Sequence, residues 1–317
     1  MVIATRNRCP ELIRTLRHLH GLTPAPPVVV VDNGSTDGTV QAVLEQFTGV
    51  VLLALQRNHG APARNVGVLA ARTPYVAFSD DDSWWAPGAL HRATTVLDSH
   101  PRLGLVAART LVGPSDRPDP INQLMAISPL PRFPGAPGPS VLGFLACSAV
   151  LRRQAFCEVG GFSRVLFFVG EERLLCYDLA AAGWERAYLD DVVAHHHPSA
   201  HRPDPQRRRV AELRNALLTA VLRRPRRVAV AAATALARDS VCDATARSAL
   251  REAVARLPAA LRRRAVVSVC AVPASCAAAA GAGALAPMPQ KPDWARRGFA
   301  RPCRFRGDPR LRAAPRR

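Results

Sequence analysis

The chain has 317 residues, a formal net charge of +19 and eight cysteines. This length allows one domain of about 200 residues and a smaller appendage. The cysteines form no C-x-x-C pair and no secretory signal peptide precedes them, which argues against a disulfide framework. We therefore expect a cytoplasmic protein with reduced thiols.

Two strand-turn-helix units open the chain. Residues 2–8 (VIATRNR) predict a short strand and a turn, and apolar residues then recur at helical spacing. Residues 28–31 (VVVV) predict a second strand, which ends at Asp32 and leads through a turn rich in glycine and aspartate into another helix. Such repeated units are typical of a parallel sheet, and open α/β sheets bind nucleotides where a strand's carboxyl end meets a helix.

Three adjacent carboxylates, Asp80, Asp81 and Asp82, follow the apolar run at residues 75–79. Neighbouring like charges raise one another's pKa, and a hard divalent cation relieves that repulsion. Strand alternation places Asp80 and Asp82 on one face and Asp81 on the other. The pair is a candidate clamp for Mg²⁺ or Mn²⁺ that leaves coordination positions for phosphate oxygens, and the alternative is a solvated acidic turn.

Two further clusters of ionisable residues follow. Glu171 and Glu172 come after Gly170 and before spaced leucines, which predicts the first turn of an amphipathic helix. Residues 188–194 predict a last core strand that ends in three consecutive histidines. The alternation of the strand places His195 and His197 on one side and His196 on the other.

Taken together in order and spacing, these motifs resemble those of family 2 glycosyltransferases with the GT-A fold, over residues 1 to about 200. Each motif is weak alone, but the ordered set is specific. The matching residues are 5–8 (TRNR), 31–39 (VDNGSTDGT), Asn58, Gly60, 63–65 (ARN), Gly67, 78–82 (FSDDD), 160–162 (GGF) and 170–172 (GEE).

The resemblance implies a role for each matching position. The family transfers a sugar from a nucleotide diphosphate donor to an acceptor hydroxyl, usually with inversion and a divalent metal, Mn²⁺ or Mg²⁺. The implied catalytic residues are Glu172 as the base and its neighbour Glu171. The implied metal residues are Asp82, Asp80 and His195, and the implied donor-binding residues are Thr5, Arg6, Asp32, Arg64, Asp80 and Asp81.

The acidic pair departs from the family pattern in three ways. Glu172 replaces the usual aspartate, Leu174 stands where an acid is frequent, and Asp178 stands where an arginine is common. The longer glutamate side chain reaches a differently placed hydroxyl, so the choice between Glu171 and Glu172 stays open. The alternative is that both are ordinary acids at a helix start.

The fold class expected from the resemblance is α/β, a GT-A domain with a Rossmann-like, mostly parallel sheet flanked by helices, followed by a basic α-helical C-terminal extension. The domain boundaries that we predict are 1–205 for the glycosyltransferase domain, 206–264 for the extension and 265–317 for a low-complexity, disordered tail. Residues 1–206 hold 18 basic and 18 acidic side chains, whereas residues 207–317 hold 25 and 6.

The basic C-terminal third suggests a partner. Nucleic acid is the obvious one, but no helix-turn-helix, zinc-finger spacing or aromatic RNA-binding motif supports it. Arginine-rich helices beside a glycosyltransferase domain fit better with peripheral contact to an anionic membrane, at the inner face of the plasma membrane, where lipid-linked acceptors reside.

The sequence thus favours a metal-dependent inverting glycosyltransferase that moves a hexose or deoxyhexose from a nucleotide sugar to a glycan or lipid-linked acceptor of the cell envelope. Two alternatives remain open. One is a basic nucleic-acid- or membrane-binding module with a degenerate α/β domain. The other is a sugar nucleotidyltransferase, which would require a glycine-rich basic loop in place of residues 5–8.

Overall fold

A computed structural model describes residues 1–199 and 204–267. These residues form a mixed sheet with helices on both faces, followed by three further helices. The strands are β1 Val2–Thr5, β2 Val29–Asp32, β3 Val51–Ala54, β4 Tyr75–Ser79, β5 Ser83–Trp85, β6 Leu103–Val112, β7 Arg117–Pro118, β8 Ala149–Arg152 and β9 Glu185–His196. The helices are α1 Cys9–His20, α2 Thr39–Gln46, α3 Ala63–Ala70, α4 Ala89–Ser99, α5 Pro120–Ala126, α6 Arg153–Glu158, α7 Glu171–Ala181, α8 Pro205–Arg223, α9 Arg226–Asp239 and α10 Ala244–Arg262.

The sheet order is β3-β2-β1-β4-β8-β6-β9-β5, and β7 pairs with β6. The four strands β3, β2, β1 and β4 are parallel, as the repeated strand-turn-helix units predict. Strand β8 is antiparallel to both of its neighbours, while β6 and β9 are parallel. The α/β fold class is confirmed, with antiparallel pairs confined to the second half of the sheet.

Each face of the sheet has its own hydrophobic core. On one face α1, α2 and α4 pack over buried side chains that include Ile3, Leu16 and Trp85. On the other face α3, α6 and α7 pack over side chains that include Val31, Phe78 and Phe162. Because helices cover both faces of the sheet, the central strands consist of continuous apolar residues. The polar residues concentrate at the strand ends.

The C-terminal helices α8, α9 and α10 form a third core with α7 and the segment before it, around Val165, Leu166 and Leu174. The arginine and proline run at residues 223–227 separates α8 from α9. No helix in the described residues is both long and apolar enough to cross a bilayer. The boundary at 205 stays a prediction, and nearly all of the predicted tail (265–317) lies outside the described residues.

Candidate active site

The predicted site residues meet at one edge of the sheet, because the parallel strands β1, β2 and β4 all end there. Thr5 is the last residue of β1, and Asp32 is the last residue of β2. Asp80, Asp81 and Asp82 lie in the turn that joins β4 to β5, so strict strand alternation does not apply to them. Each of the three carboxylates points to a different partner.

Asp82 is the most enclosed of the three, with 7% of its surface exposed. Its Oδ1 lies 3.3 Å from Nε2 of His196, and its Oδ2 accepts a hydrogen bond from the Ser199 amide at 3.1 Å. The Arg8 guanidinium lies 3.7 Å away. Burial opposes ionisation, but the bond to His196, the Ser199 amide and the charge of Arg8 together hold the pKa of Asp82 below its ordinary value. Asp82 is therefore anionic at neutral pH.

Asp81 lies against the first strand. Its Oδ2 accepts a hydrogen bond from Oγ1 of Thr5 at 3.0 Å, and its carbonyl accepts one from Thr15 at 2.9 Å. Burial, with the charges of Asp80 and Asp82 added, raises the pKa of Asp81 to about 7. This repulsion within the turn is the cost that a bound cation would relieve.

Asp80 forms an ion pair with Arg64, through Oδ1 and Nη2. Arg64 lies in the first turn of α3 and is only 6% exposed, so it is a core-facing cation rather than a surface one. Helix α3 approaches the sheet closely at Gly67, where a Cβ would lie 2.5 Å from Val2 Cγ1. The close packing of α3 therefore fixes the guanidinium of Arg64 at the site edge.

Glu171 and Glu172 begin α7, directly after Gly170, whose φ of 82° only glycine adopts readily. Glu171 is 2% exposed, and its Oε2 has no hydrogen-bond partner among the described residues. Burial, followed by the charge of Glu172, raises the pKa of Glu171 to about 8, although Arg64 opposes the rise. Burial also raises the pKa of Glu172. The predicted helix start is confirmed, and the charges of both acids act on the Arg64 guanidinium.

Asp32 holds one free acceptor in a buried position. Its Oδ2 accepts the Ser35 amide at 3.0 Å, whereas its buried Oδ1 has no partner within the described part of the chain. A buried carboxylate oxygen without a donor is costly, so this atom is suited to accept an N–H group from a ligand. Arg6, also predicted to bind donor, is exposed in the adjacent loop.

The histidines divide as strand alternation predicts, and the metal role of His195 stays a prediction. Nδ1 of His195 lies 2.8 Å from Oδ1 of Asp116, and its ring faces Trp84, as the ring of His197 also does. The neighbouring His196 is the imidazole that reaches Asp82. The sequence indicates the two sides of the strand but does not show which side faces the carboxylates.

Several polar residues that organise the site were not predicted to have a role. Asn65 bonds the backbone of Phe162 in both directions, with Oδ1 accepting from its amide and Nδ2 donating to its carbonyl, each at 2.9 Å. Arg214 and Asn215 of α8 bond the segment before Glu171. Their signal in the sequence is weak, since only an Arg-Asn pair inside an apolar stretch of α8 marks it.

The residues around Asp82 fit a divalent cation that is shared with a ligand. No group of three His, Cys, Asp or Glu side chains in the described ranges forms a complete metal site. Carboxylate oxygen and imidazole nitrogen are nevertheless ligands that Mn²⁺ accepts, and Asp82 and His196 present one of each. Cations that work on nucleotides are commonly held by one or two carboxylates plus phosphate oxygens.

Comparison with known proteins identifies the family of the chain. The family model described as glycosyl transferase family 2 matches residues 1–160. An N-acetylglucosaminyl-diphospho-decaprenol L-rhamnosyltransferase of Mycobacterium tuberculosis is 30% identical over 230 residues, which cover 62% of this chain and 75% of the relative. A pre-mycofactocin glycosyltransferase of the same species is 32% identical over 211 residues, 62% of this chain and 42% of that protein.

Solved structures share the fold. A mannosyltransferase, PcManGT from Pyrobaculum calidifontis in complex with GDP-Man and Mn²⁺, superposes with a TM-score of 0.54 at 20% identity, covering 89% of this chain and 75% of that one. S. aureus TarS 1-349 in complex with UDP-GlcNAc gives a TM-score of 0.53 at 19% identity, covering 69% and 65%. The chain belongs to glycosyl transferase family 2, and it is a glycosyltransferase with the GT-A fold.

Proposed function

We propose that the chain is a metal-dependent, inverting glycosyltransferase that uses a nucleotide diphosphate sugar. The observation that carries the proposal is the convergence, at one sheet edge, of an anionic Asp82 beside His196, the Arg64–Asp80 ion pair and the acidic pair that starts α7. The residues that we propose to hold the metal and the donor thus lie at the same edge as the two carboxylates at the start of α7, which are able to take a proton. A surface binding module would not need this buried set of charges.

The positions of these residues support an inverting transfer. The acceptor oxygen attacks the anomeric carbon from the face opposite the diphosphate, the bond from that carbon to phosphate oxygen breaks, and its electron pair leaves with the diphosphate. A divalent cation held by Asp82 and Asp80, with His196, would act as a Lewis acid toward the developing charge. The planar guanidinium of Arg64 is able to donate paired hydrogen bonds either to the diphosphate or to the carboxylate of Asp80.

Glu172 is the group that we propose takes the acceptor proton. Burial and the charge of Glu172 raise the pKa of Glu171, which favours the protonated form of Glu171. Glu172 is less buried than Glu171, which favours it as the acid that meets the acceptor hydroxyl. Its raised pKa also makes it a stronger base once it is ionised.

Asp32, Thr5 and Arg6 are proposed to bind the nucleoside part of the donor. The free Oδ1 of Asp32 provides an acceptor for an N–H of a pyrimidine or guanine base. Thr5 holds Asp81 in place and Arg6 supplies positive charge at the rim. These roles continue the resemblance, and the burial of Asp32 at the end of β2 supports them.

The acceptor that we propose first is a lipid-linked, diphosphate-bearing glycan of the cell envelope, with a deoxyhexose as the transferred sugar. The rhamnosyltransferase relative, whose name specifies an N-acetylglucosaminyl-diphospho-decaprenol acceptor, supports this choice. The basic helices support it as well. Residues 204–267 carry 15 arginines and five acidic residues, and Val230, Val254 and Leu261 are more than half exposed there. We propose peripheral contact of this region with an anionic membrane on the cytoplasmic side.

Thermal stabilisation by a donor panel tests the proposal without knowledge of the acceptor. The protein is heated with uridine, thymidine or guanosine diphosphate sugars, with Mn²⁺ or with EDTA. A ligand at 100 times its Kd stabilises the folded state by about 2.7 kcal/mol. One nucleotide class should raise Tm with Mn²⁺ and lose that effect in EDTA. A flat response to every donor would contradict the proposal.

A further inference from the structure

The segment between Phe162 and α7 has an unusual backbone just before the acidic pair. Phe167 and Val169 have positive φ values of 67° and 72°, and Gly170 follows with 82°. The Phe168 amide donates to the Leu166 carbonyl at 2.9 Å, which closes a three-residue turn of the rare, strained kind. A β-branched residue such as Val169 is seldom found at positive φ. This conformation persists only where its surroundings impose it.

Two buried side chains of α8 impose it. Nδ2 of Asn215, which is 2% exposed, lies 3.1, 2.7 and 2.6 Å from the carbonyl oxygens of Leu166, Phe168 and Val169, so its two N–H groups serve three acceptors. Arg214, 6% exposed, donates through Nη2 to the same Leu166 carbonyl at 3.1 Å. Its Nε bonds Oδ1 of Asn215 at 2.8 Å, which fixes the orientation of the amide.

The opposite side of the segment contacts the loop that precedes α3, the helix that carries Arg64. The Ala61 amide donates to the Phe167 carbonyl at 2.7 Å, just before α3 and Arg64. A Cβ on Gly60 would lie 2.2 Å from that carbonyl oxygen, so only glycine permits the approach. The segment is therefore held between α8 and the loop that precedes Arg64, and it leads directly into Glu171.

We propose that Arg214 and Asn215 are positioning residues that fix residues 166–170 and thereby set where Glu171 and Glu172 stand relative to Arg64. This inference rests on the proposed function of the acidic pair. It makes the C-terminal helices part of the catalytic unit, because α8 defines the start of the helix that carries the base. Neither residue contacts the reacting atoms.

The matched variants are Asn215→Ala, the isosteric Asn215→Asp and a control, Arg152→Ala. Arg152 also donates to three backbone carbonyls, those of Leu97, His100 and Leu103. Arg152 lies opposite Tyr75 in the β4–β8 register. Tyr75 begins β4, whereas Asp80 follows the last residue of that strand. Loss of Arg152 removes comparable bonds without touching the segment before α7. Asp at 215 keeps the shape but cannot donate to carbonyls when ionised.

Hydrogen–deuterium exchange of residues 165–172 is measured first, on the protein without ligand. Both Asn215 variants should speed exchange there by at least about 10-fold, as expected for the loss of over 1.4 kcal/mol of local protection, while Arg152→Ala leaves it unchanged. Equal exchange in Asn215→Asp and the wild type would overturn the positioning role, because it would mean that only the shape of the side chain matters.

Turnover is measured next, with the donor that stabilises the wild type most. Both Asn215 variants should lower kcat on the order of 10-fold to 100-fold, the cost of a small misplacement of a reacting group, with the donor KM unchanged within twofold. Loss of kcat no greater than in Arg152→Ala would contradict the inference. If the wild type itself turns over no donor, the proposed function fails, and the exchange result still decides whether the pair holds the segment.

Discussion

The imidazole Nε2 of His196 lies 3.3 Å from Oδ1 of Asp82. Strand β9 thus brings an imidazole to the acidic turn from the far half of the sheet. The adjacent His195 faces Asp116 instead. The two neighbours therefore form a natural pair of variants with the same chemical change and different surroundings.

Replacing His196 with alanine should weaken Mn²⁺ binding in the presence of a nucleoside diphosphate by about 10-fold to 100-fold, as loss of a group that ligates or orients a ligand does. Calorimetric titration of Mn²⁺ measures this. His195→Ala is the control and should change the Mn²⁺ affinity less than twofold. A larger loss of Mn²⁺ affinity in His195→Ala than in His196→Ala would support His195, the residue that the sequence predicts, as the metal contact.

Asp32→Asn should weaken nucleoside diphosphate binding. The change replaces a buried carboxylate whose Oδ1 has no partner in the described chain, and a hydrogen bond to a charged group is worth roughly 1.5–3 kcal/mol. Titration with uridine, thymidine and guanosine diphosphates measures the loss. Asp37→Asn is the matched control, because Asp37 accepts the amides of Thr39 and Cys9, each at 3.1 Å, at the starts of α2 and α1, and it should lower Tm with a smaller effect on nucleotide binding.

Glu171→Gln should change the pH dependence of stability. Burial raises the pKa of Glu171 from 4.5 to about 8, so between these values the folded protein keeps a proton that the unfolded chain has released. The free energy of unfolding therefore falls as pH rises through this window, by about 1.4 kcal/mol for each unit of pKa difference.

The glutamine variant lacks this penalty. Its Tm should exceed that of the wild type at pH 8 and match it near pH 4.5. Scanning calorimetry at the two pH values gives the comparison. An equal change of Tm at both would show that the pKa of Glu171 is the same in the folded and the unfolded protein.

Binding to vesicles tests the role of the basic helices. Co-sedimentation with phosphatidylglycerol vesicles is expected, but not with pure phosphatidylcholine, and it should weaken steeply as salt rises. Reversing the exposed Arg262 and Arg263 to glutamate should abolish it. The same charge change at the exposed Arg72 and Arg117 should leave most binding intact, and equal losses would point to net charge rather than to a membrane-facing surface.

The sequence was most informative where the local pattern of side chains determines the secondary structure. The apolar runs predict β2 and β4, and the acids at their carboxyl ends predict the site edge. It was less informative where tertiary packing decides. The burial of Arg64 depends on the close approach at Gly67, the choice between His195 and His196 depends on which face of β9 meets Asp82, and the bonds from Asn215 to residues 166–169 link segments almost fifty positions apart.

The most direct test of the account is release of nucleoside diphosphate from the stabilising donor, supplied with a polyprenyl-diphosphate-linked N-acetylglucosamine acceptor and Mn²⁺. The account predicts transfer by the wild type, none in EDTA, recovery when Mn²⁺ is restored, and none with Asp82→Asn at a Tm close to that of the wild type. Undiminished transfer in EDTA, or by the Asp82 variant, would contradict it.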